Sequence, residues 1–76
     1  MVDILNIEWD NEYAKATLVF DGDKNRTCRV VIDCEKKEVI ENSLGEMNSY
    51  IAHARNRLCK VYAEGKRPRV EQSVWC

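Results

Sequence analysis

The chain has few of the residues that mark metal, phosphate or catalytic sites. Its 76 residues include one histidine, one proline and three isolated glycines, and its four cysteines form no C-x-x-C pair. A structural zinc site uses closely spaced Cys or His pairs, and a phosphate-binding loop uses clustered glycines. We therefore predict that the chain has no metal, no cofactor and no catalytic residue, and that it is not an enzyme.

Long apolar segments are also absent. No run approaches the roughly 20 apolar residues that a membrane span requires, and the first ten residues, MVDILNIEWD, are acidic and alternating rather than typical of a secretory signal. These features predict a cytoplasmic protein without membrane contact. In that compartment thiols are reduced, which predicts four unpaired cysteines, at positions Cys28, Cys34, Cys59 and Cys76.

What the chain does contain is an alternation of apolar and polar residues, which predicts strands at about 4–9, 13–20 and 26–34. In the first strand the pattern places Leu5, Ile7 and Trp9 on one face and Ile4 on the other. In the next two strands the apolar sides are Ala14, Ala16, Leu18 and Phe20, and then Cys28, Val30, Ile32 and Cys34. Short connections between these strands favour an antiparallel meander.

A long amphipathic helix is predicted at about 44–63. Ser43 and Glu46 have the S-x-x-E spacing of a capping box, and Gly65 provides a stop. Between them an apolar stripe recurs every three or four residues, at Leu44, Met47, Ile51, Ala54, Leu58 and Val61. The predicted fold is a single α+β domain over residues 1–76. It has an antiparallel sheet of three or four strands on one long helix, and residues 64–76 form a basic tail or short strand.

The stretch Asp21–Asn25, DGDKN, poses a choice between a calcium loop and a turn. Asp21, Asp23 and Asn25 match the oxygen ligands at positions 1, 3 and 5 of a calcium-binding loop. Such a loop needs Gly at position 6 and Glu at position 12, where this chain has Arg26 and Ile32. Asp, Gly and Asn are also the residues that tight hairpins select, so the sequence favours a hairpin turn.

Charge is distributed unevenly along the chain. Residues 1–23 contain one lysine and six acidic residues, a net charge of −5, whereas residues 53–76 contain six basic and two acidic residues, a net charge of +4. Such polarity favours docking onto a larger molecule rather than any particular fold. We predict a small non-enzymatic binding protein that occupies a macromolecular surface, with a protein or ribonucleoprotein complex as its partner.

The predicted partner-binding residues are the bases of the helix and the segment after it, namely Arg55, Lys60, Lys66, Arg67 and Arg69. A first alternative function is nucleic-acid binding through Lys66, Arg67 and Arg69, since lysines and arginines neutralise phosphates. The simplest interpretation is that bases near a helix C-terminus only complement its dipole.

One row of the helix is small and nearly uncharged, and consists of Ala52, Asn56, Cys59 and Ala63. We predict that it lies opposite the core stripe and forms a contact face for a second copy, in a homodimer, or for another protein. The alternatives are that the C-terminal segment folds back over it or that it is ordinary exposed surface. Cys59 stands near Arg55 and Lys60, and electropositive surroundings activate thiols. A thiol-dependent protein centred on Cys59 is therefore the second alternative function.

Residues 7–34 resemble a family of small uncharacterised bacterial domains with a three-strand-then-helix order. The resemblance rests on Trp9-Asp10, Val19-Phe20, Asp21-Gly22 and Cys28. It implies a fold rather than an activity, because that family has no settled function. In size and architecture the chain is also similar to small phage-encoded inhibitors of host defence, such as anti-CRISPR proteins, which implies an inhibitor from a phage or mobile element.

Overall fold

A computed structural model describes residues 1–75 and shows five strands and one helix within that range. In chain order these elements are β1 (Val2–Asp10), β2 (Tyr13–Phe20), β3 (Asp23–Asp33), β4 (Glu38–Asn42), α1 (Ser49–Ala63) and β5 (Glu71–Ser73). The strands form one antiparallel sheet in the order β4-β3-β2-β1-β5, and α1 packs against one face of it. The predicted α+β class is therefore confirmed, with five strands instead of three or four.

The turn between β2 and β3 is the hairpin that the sequence favours. Phe20 pairs with Asp23, and the two residues between them, Asp21 and Gly22, have φ angles of 52° and 72°. Two successive left-handed residues define a type I′ turn, whose twist matches that of the flanking strands. The hairpin prediction is confirmed, and residues 1–75 hold no group of three or more His, Cys, Asp or Glu that could bind a metal ion.

A β-bulge in β1 changes which of its side chains enter the core. The pairing of β1 with β2 shifts between Leu5 and Glu8, and Asn6, inside that interval, has a φ of 52°. Ile4 before the bulge is fully buried, and Ile7 after it is 3% exposed. The prediction that Leu5 shares the buried face with Ile7 is wrong, because one extra residue reverses the alternation.

The apolar faces of the next two strands are confirmed, because every residue assigned to them is buried in one cluster: Ala14, Ala16, Leu18, Phe20, Cys28, Val30, Ile32 and Cys34. From the helix, Ile51, Ala54 and Leu58 are fully buried and join the same cluster. The core therefore lies between α1 and one face of the sheet.

The helix begins at Ser49 instead of near residue 44, so the predicted capping box is wrong. Ser43 follows the last residue of β4 and is hydrogen-bonded to β3: its N–H donates to the Arg29 carbonyl, and its hydroxyl accepts from the Arg29 N–H, both at 2.9 Å. The helix is capped by Asn48, whose side-chain oxygen accepts from the Ile51 N–H at 2.9 Å. Ser43 therefore hydrogen-bonds to the backbone of Arg29 in β3 instead of capping the helix as the sequence pattern predicts.

The later start removes the first two residues of the predicted stripe from the core. Leu44 and Met47 lie in the segment before the helix and are 44% and 50% exposed. The predicted stop at Gly65 is confirmed, since Gly65 has a φ of 78°. The N–H of the next residue, Lys66, donates to the Val61 carbonyl at 2.9 Å, as in a Schellman motif.

We expect Asn48→Ala to lower the free energy of unfolding by about 1 kcal/mol, the usual cost of removing a helix N-cap. Glu46→Ala is the matched control, because it removes the second member of the S-x-x-E pattern, and Glu46 is exposed in the segment before the helix. Urea unfolding followed by circular dichroism at the helical band distinguishes the two. A loss of stability in Glu46→Ala equal to that in Asn48→Ala would contradict the helix start described above.

Candidate binding surfaces

Every charged side chain of α1 is basic. The helix contains Arg55, Arg57 and Lys60 and no Asp or Glu. Lys60 is exposed and Arg55 half-buried. Arg57 forms an ion pair of 3.2 Å with Glu71 of β5. The helix therefore presents Arg55 and Lys60 without neutralising partners among the described residues of its own element.

The segment after the helix is fixed to the sheet rather than loose. The indole N–H of Trp9 donates to the Pro68 carbonyl at 2.8 Å, and the Ile7 N–H donates to the Arg69 carbonyl at 3.0 Å. The chain then continues as β5 beside β1. The backbone of the predicted basic tail is thus attached to the edge of the sheet over residues 68–73.

Among the bases of this segment, Arg67 has a structural role. Its guanidinium lies 4.3 Å from the ring centre of Tyr62 and 5.2 Å from that of Trp9, and it donates to the carbonyls of Tyr62 and Lys66 at 3.2 and 2.7 Å. Cation–π contact with two rings holds this side chain in place. Lys66 and Arg69 are exposed. We call Arg55, Lys60, Lys66 and Arg69 the basic surface.

The predicted contact row on the helix does not exist as a continuous exposed strip. Asn56 and Ala63 are exposed and Ala52 is half-buried, but Cys59 is 7% exposed and belongs to the core cluster. Cys59 turns inward beside Cys34, which follows the end of β3. The prediction that Cys59 lies opposite the core stripe is therefore wrong.

The two neighbouring thiols are held in a form that reacts poorly. Burial, together with the adjacent Cys59 thiol, raises the pKa of Cys34 to about 12. Burial also raises the pKa of Cys59 above its usual value. The thiolate is the nucleophilic form, so both groups stay protonated near neutral pH. Cys76, named among the predicted free cysteines, lies outside the described residues.

An aromatic cluster covers the end of the sheet beside the start of the helix. Tyr50 stacks on Phe20 with ring centres 4.6 Å apart, and Trp75 stacks on His53 at 3.8 Å. Trp75 therefore covers one side of the His53 ring, and the C-terminal segment folds back onto the helix at this residue.

Tyr50 of this cluster also contacts the hairpin between β2 and β3. The hydrogen bond from the Tyr50 hydroxyl holds the pKa of the Asp21 carboxyl below its usual value.

The sheet face that α1 leaves uncovered contains a groove, which we call the open sheet face. Its volume is about 1120 Å³, and its floor crosses four strands. Cross-strand pairs connect Glu8 with Lys15, Lys15 with Val31, and Val31 with Glu41. Sequence reasoning missed this surface, because the groove forms only when β4 is placed beside β3. Acidic and basic side chains are mixed in its lining, unlike in the basic surface.

The one helix of the described range is too short and too polar to cross a membrane. Comparisons of the chain with protein-family models, with curated proteins and with solved structures returned no match. The resemblance of residues 7–34 to small bacterial domains therefore stays a prediction.

Proposed function

We propose that the protein is a small non-enzymatic binding protein that docks its basic surface onto an acidic surface of a larger protein or ribonucleoprotein complex. The observation that carries the proposal is the uneven distribution of charge along the chain, with six basic and two acidic residues in 53–76. Arg55 and Lys60 come from a helix with no acidic residue, and Lys66 and Arg69 follow it on an ordered segment. Charge complementarity of this kind accelerates encounter and selects partners.

The fixed backbone around the basic surface supports docking to a macromolecule. Trp9 and the N–H of Ile7 hold the carbonyls of Pro68 and Arg69, so little backbone freedom is lost when a partner binds. A preorganised surface binds more tightly than a mobile tail with the same charges, since ordering costs free energy. The buried, protonated state of Cys34 and Cys59 offers no comparable support for a thiol-dependent reaction.

The experiment compares two triple charge-reversal variants with the wild type in a lysate of the organism that encodes the chain. In the first, Lys60, Lys66 and Arg69 become Glu; in the second, Glu8, Glu38 and Glu41 become Lys. All six residues are exposed, so both variants are expected to fold. The two sets of substitutions change the net charge by the same number of units, downward in the first variant and upward in the second. We expect cross-linking mass spectrometry to recover the same partner with the wild type and the second variant, and to lose it with the first. A partner kept by the first variant and lost by the second would contradict the proposal.

Nucleic-acid binding through Lys66, Arg67 and Arg69 is the second candidate, favoured by the exposure of Lys66 and Arg69 at the end of a helix. Three phosphate contacts would lower affinity about 40-fold between about 50 and 200 mM salt, because the logarithmic slope is near −0.9 per contact. Fluorescence anisotropy with duplex DNA and single-stranded RNA measures this slope directly. Arg67 is engaged with Tyr62 and Trp9, so two contacts are more consistent with the structure than three.

A narrower form of the main proposal is an inhibitor encoded by a phage or mobile element, acting in the cytoplasm on a host complex. Its support is the format of the protein, a small α+β domain with an ordered charged surface. An inhibitor of this type needs only to cover the surface that its target uses. The charge-reversal variants above test whether the basic surface is the side of the molecule that does so.

A further inference from the structure

β5 forms one edge of the sheet. It pairs with β1 on one side, and no other strand of residues 1–75 lies on its other side. Two large apolar side chains flank β5, and both point to solvent: Val70 is 62% exposed and Val74 is 69% exposed. An exposed edge strand with apolar side chains is a template for pairing with another strand.

The backbone of this edge is oriented for a second strand. The carbonyl of Arg69 faces β1, because it accepts from the Ile7 N–H at 3.0 Å. Backbone groups of successive strand residues point to opposite sides. The N–H and C=O groups of Val70, Gln72 and Val74 therefore point away from β1, along the open edge.

The side chains along this edge are symmetric about Gln72. In an antiparallel pair of two such strands centred on Gln72, Val70 of one copy stands directly opposite Val74 of the other, and this happens twice. Gln72 meets Gln72, and Glu71 meets Ser73. No like charges face each other, and aligned apolar pairs stabilise antiparallel strands.

The other edge of the sheet lacks this symmetry. In β4 the exposed Ile40 stands between the exposed acids Glu38 and Glu41. Charged side chains on an edge strand oppose pairing with another copy. Of the two edges, β5 alone combines free backbone groups with uncharged outward side chains among the described residues.

We propose that β5 is the dimerisation edge, where a second copy of this chain pairs antiparallel about Gln72 and joins two sheets into one of ten strands. Pairing would extend β5 at both ends, since it recruits Val70 and Val74 into the ladder. The dimer edge adjoins the basic surface at Arg69, whereas Arg55 and Lys60 lie on the helix and Lys66 lies just after it.

The register is tested by three double variants in a sedimentation-equilibrium experiment. Val70→Lys with Val74→Lys, and Val70→Glu with Val74→Glu, place like charges opposite each other in both pairs, so each variant is expected to stay at the chain mass of 8.9 kDa. Val70→Lys with Val74→Glu places opposite charges in both pairs and is expected to dimerise like the wild type. An equimolar mixture of the first two variants is expected to form a heterodimer.

Circular dichroism shows whether each variant is folded, and the high exposure of both valines makes folding the expected result. The control is Ile40→Lys on the opposite edge, which should leave dimerisation unchanged. The proposal is overturned by a wild type that stays monomeric at high micromolar concentration, by a Lys–Lys variant that still dimerises, or by a Lys–Glu variant that does not. Loss of the dimer in Ile40→Lys would move the interface to β4 and overturn it equally.

Discussion

Replacing Leu58 with alanine is expected to remove most of the free energy of unfolding of the protein. Leu58 is fully buried in the cluster between α1 and the sheet. Truncating a buried leucine costs about 2–5 kcal/mol, because apolar contacts are lost and a cavity stays behind. A domain of this size has a total stability of about 3–5 kcal/mol. The loss is therefore comparable with the whole free energy of unfolding.

The matched control for this prediction is Leu44→Ala. The apolar stripe of the sequence contains both leucines, but Leu44 is 44% exposed and precedes the helix. Its truncation should change the free energy of unfolding by no more than about 0.5 kcal/mol. Urea unfolding of both variants measures the contrast. Equal losses would mean that the helix begins earlier and that Leu44 packs in the core.

Asn6→Val is expected to destabilise the protein by about 1–2 kcal/mol, because a β-branched side chain is strained in the left-handed region. Asn6 has a φ of 52° in the middle of β1, and asparagine tolerates this region better than a β-branched residue does. Asn6 is exposed, so the change removes no core contact. The expected loss comes from the backbone of the bulge.

The sign of the change in stability caused by Asn6→Val distinguishes a bulge from a regular strand at residue 6. If residue 6 were ordinary strand, valine would be neutral or stabilising, since β-branched residues favour strands. Asn6→Gly is the control, because glycine adopts positive φ without steric cost, and its effect should stay within about 1 kcal/mol. Thermal or urea unfolding of the two variants decides between these structures. A stabilised Asn6→Val would exclude the bulge.

The parts of the fold that the sequence predicts correctly are those set by neighbouring residues. β2 and β3 alternate without interruption, so their buried faces follow from a period of two. The Asp21-Gly22 turn follows from the rare tolerance of these residues for positive φ. Gly65 ends the helix for the same reason. Each of these signals is local, and no distant partner competes with it.

The parts that the sequence predicts wrongly depend on distant partners. Ser43 has the pattern of a helix cap, but Arg29 binds its N–H and hydroxyl in the sheet. On a helical wheel Cys59 lies outside the apolar stripe. In the structure it is buried beside Cys34, which follows the end of β3. β5 has three residues, and its pairing with β1 spans nearly the whole chain. Periodicity carries no information about such contacts.

The same dependence limits how much of the candidate site can be predicted. The bases of the basic surface are visible in the sequence, but their availability is not. Arg67 is stacked on Tyr62 and Trp9, and Arg57 is paired with Glu71, which no spacing rule indicates. Lys60, Lys66 and Arg69 are exposed, and Lys66 forms only an exposed ion pair of 3.6 Å with Glu64. The open sheet face is invisible until four strands are placed side by side.

The pairing of Val2 with Ser73 has a consequence for how the chain acquires its structure. β1 is synthesised before β5, with three other strands and the helix between them, so one edge of β1 stays unpaired in the growing chain until β5 has been made. Contacts between remote segments form slowly, since a long loop must close before they are gained. The hairpins formed by β1, β2, β3 and β4 can form early, and the sheet is completed when β5 pairs with β1.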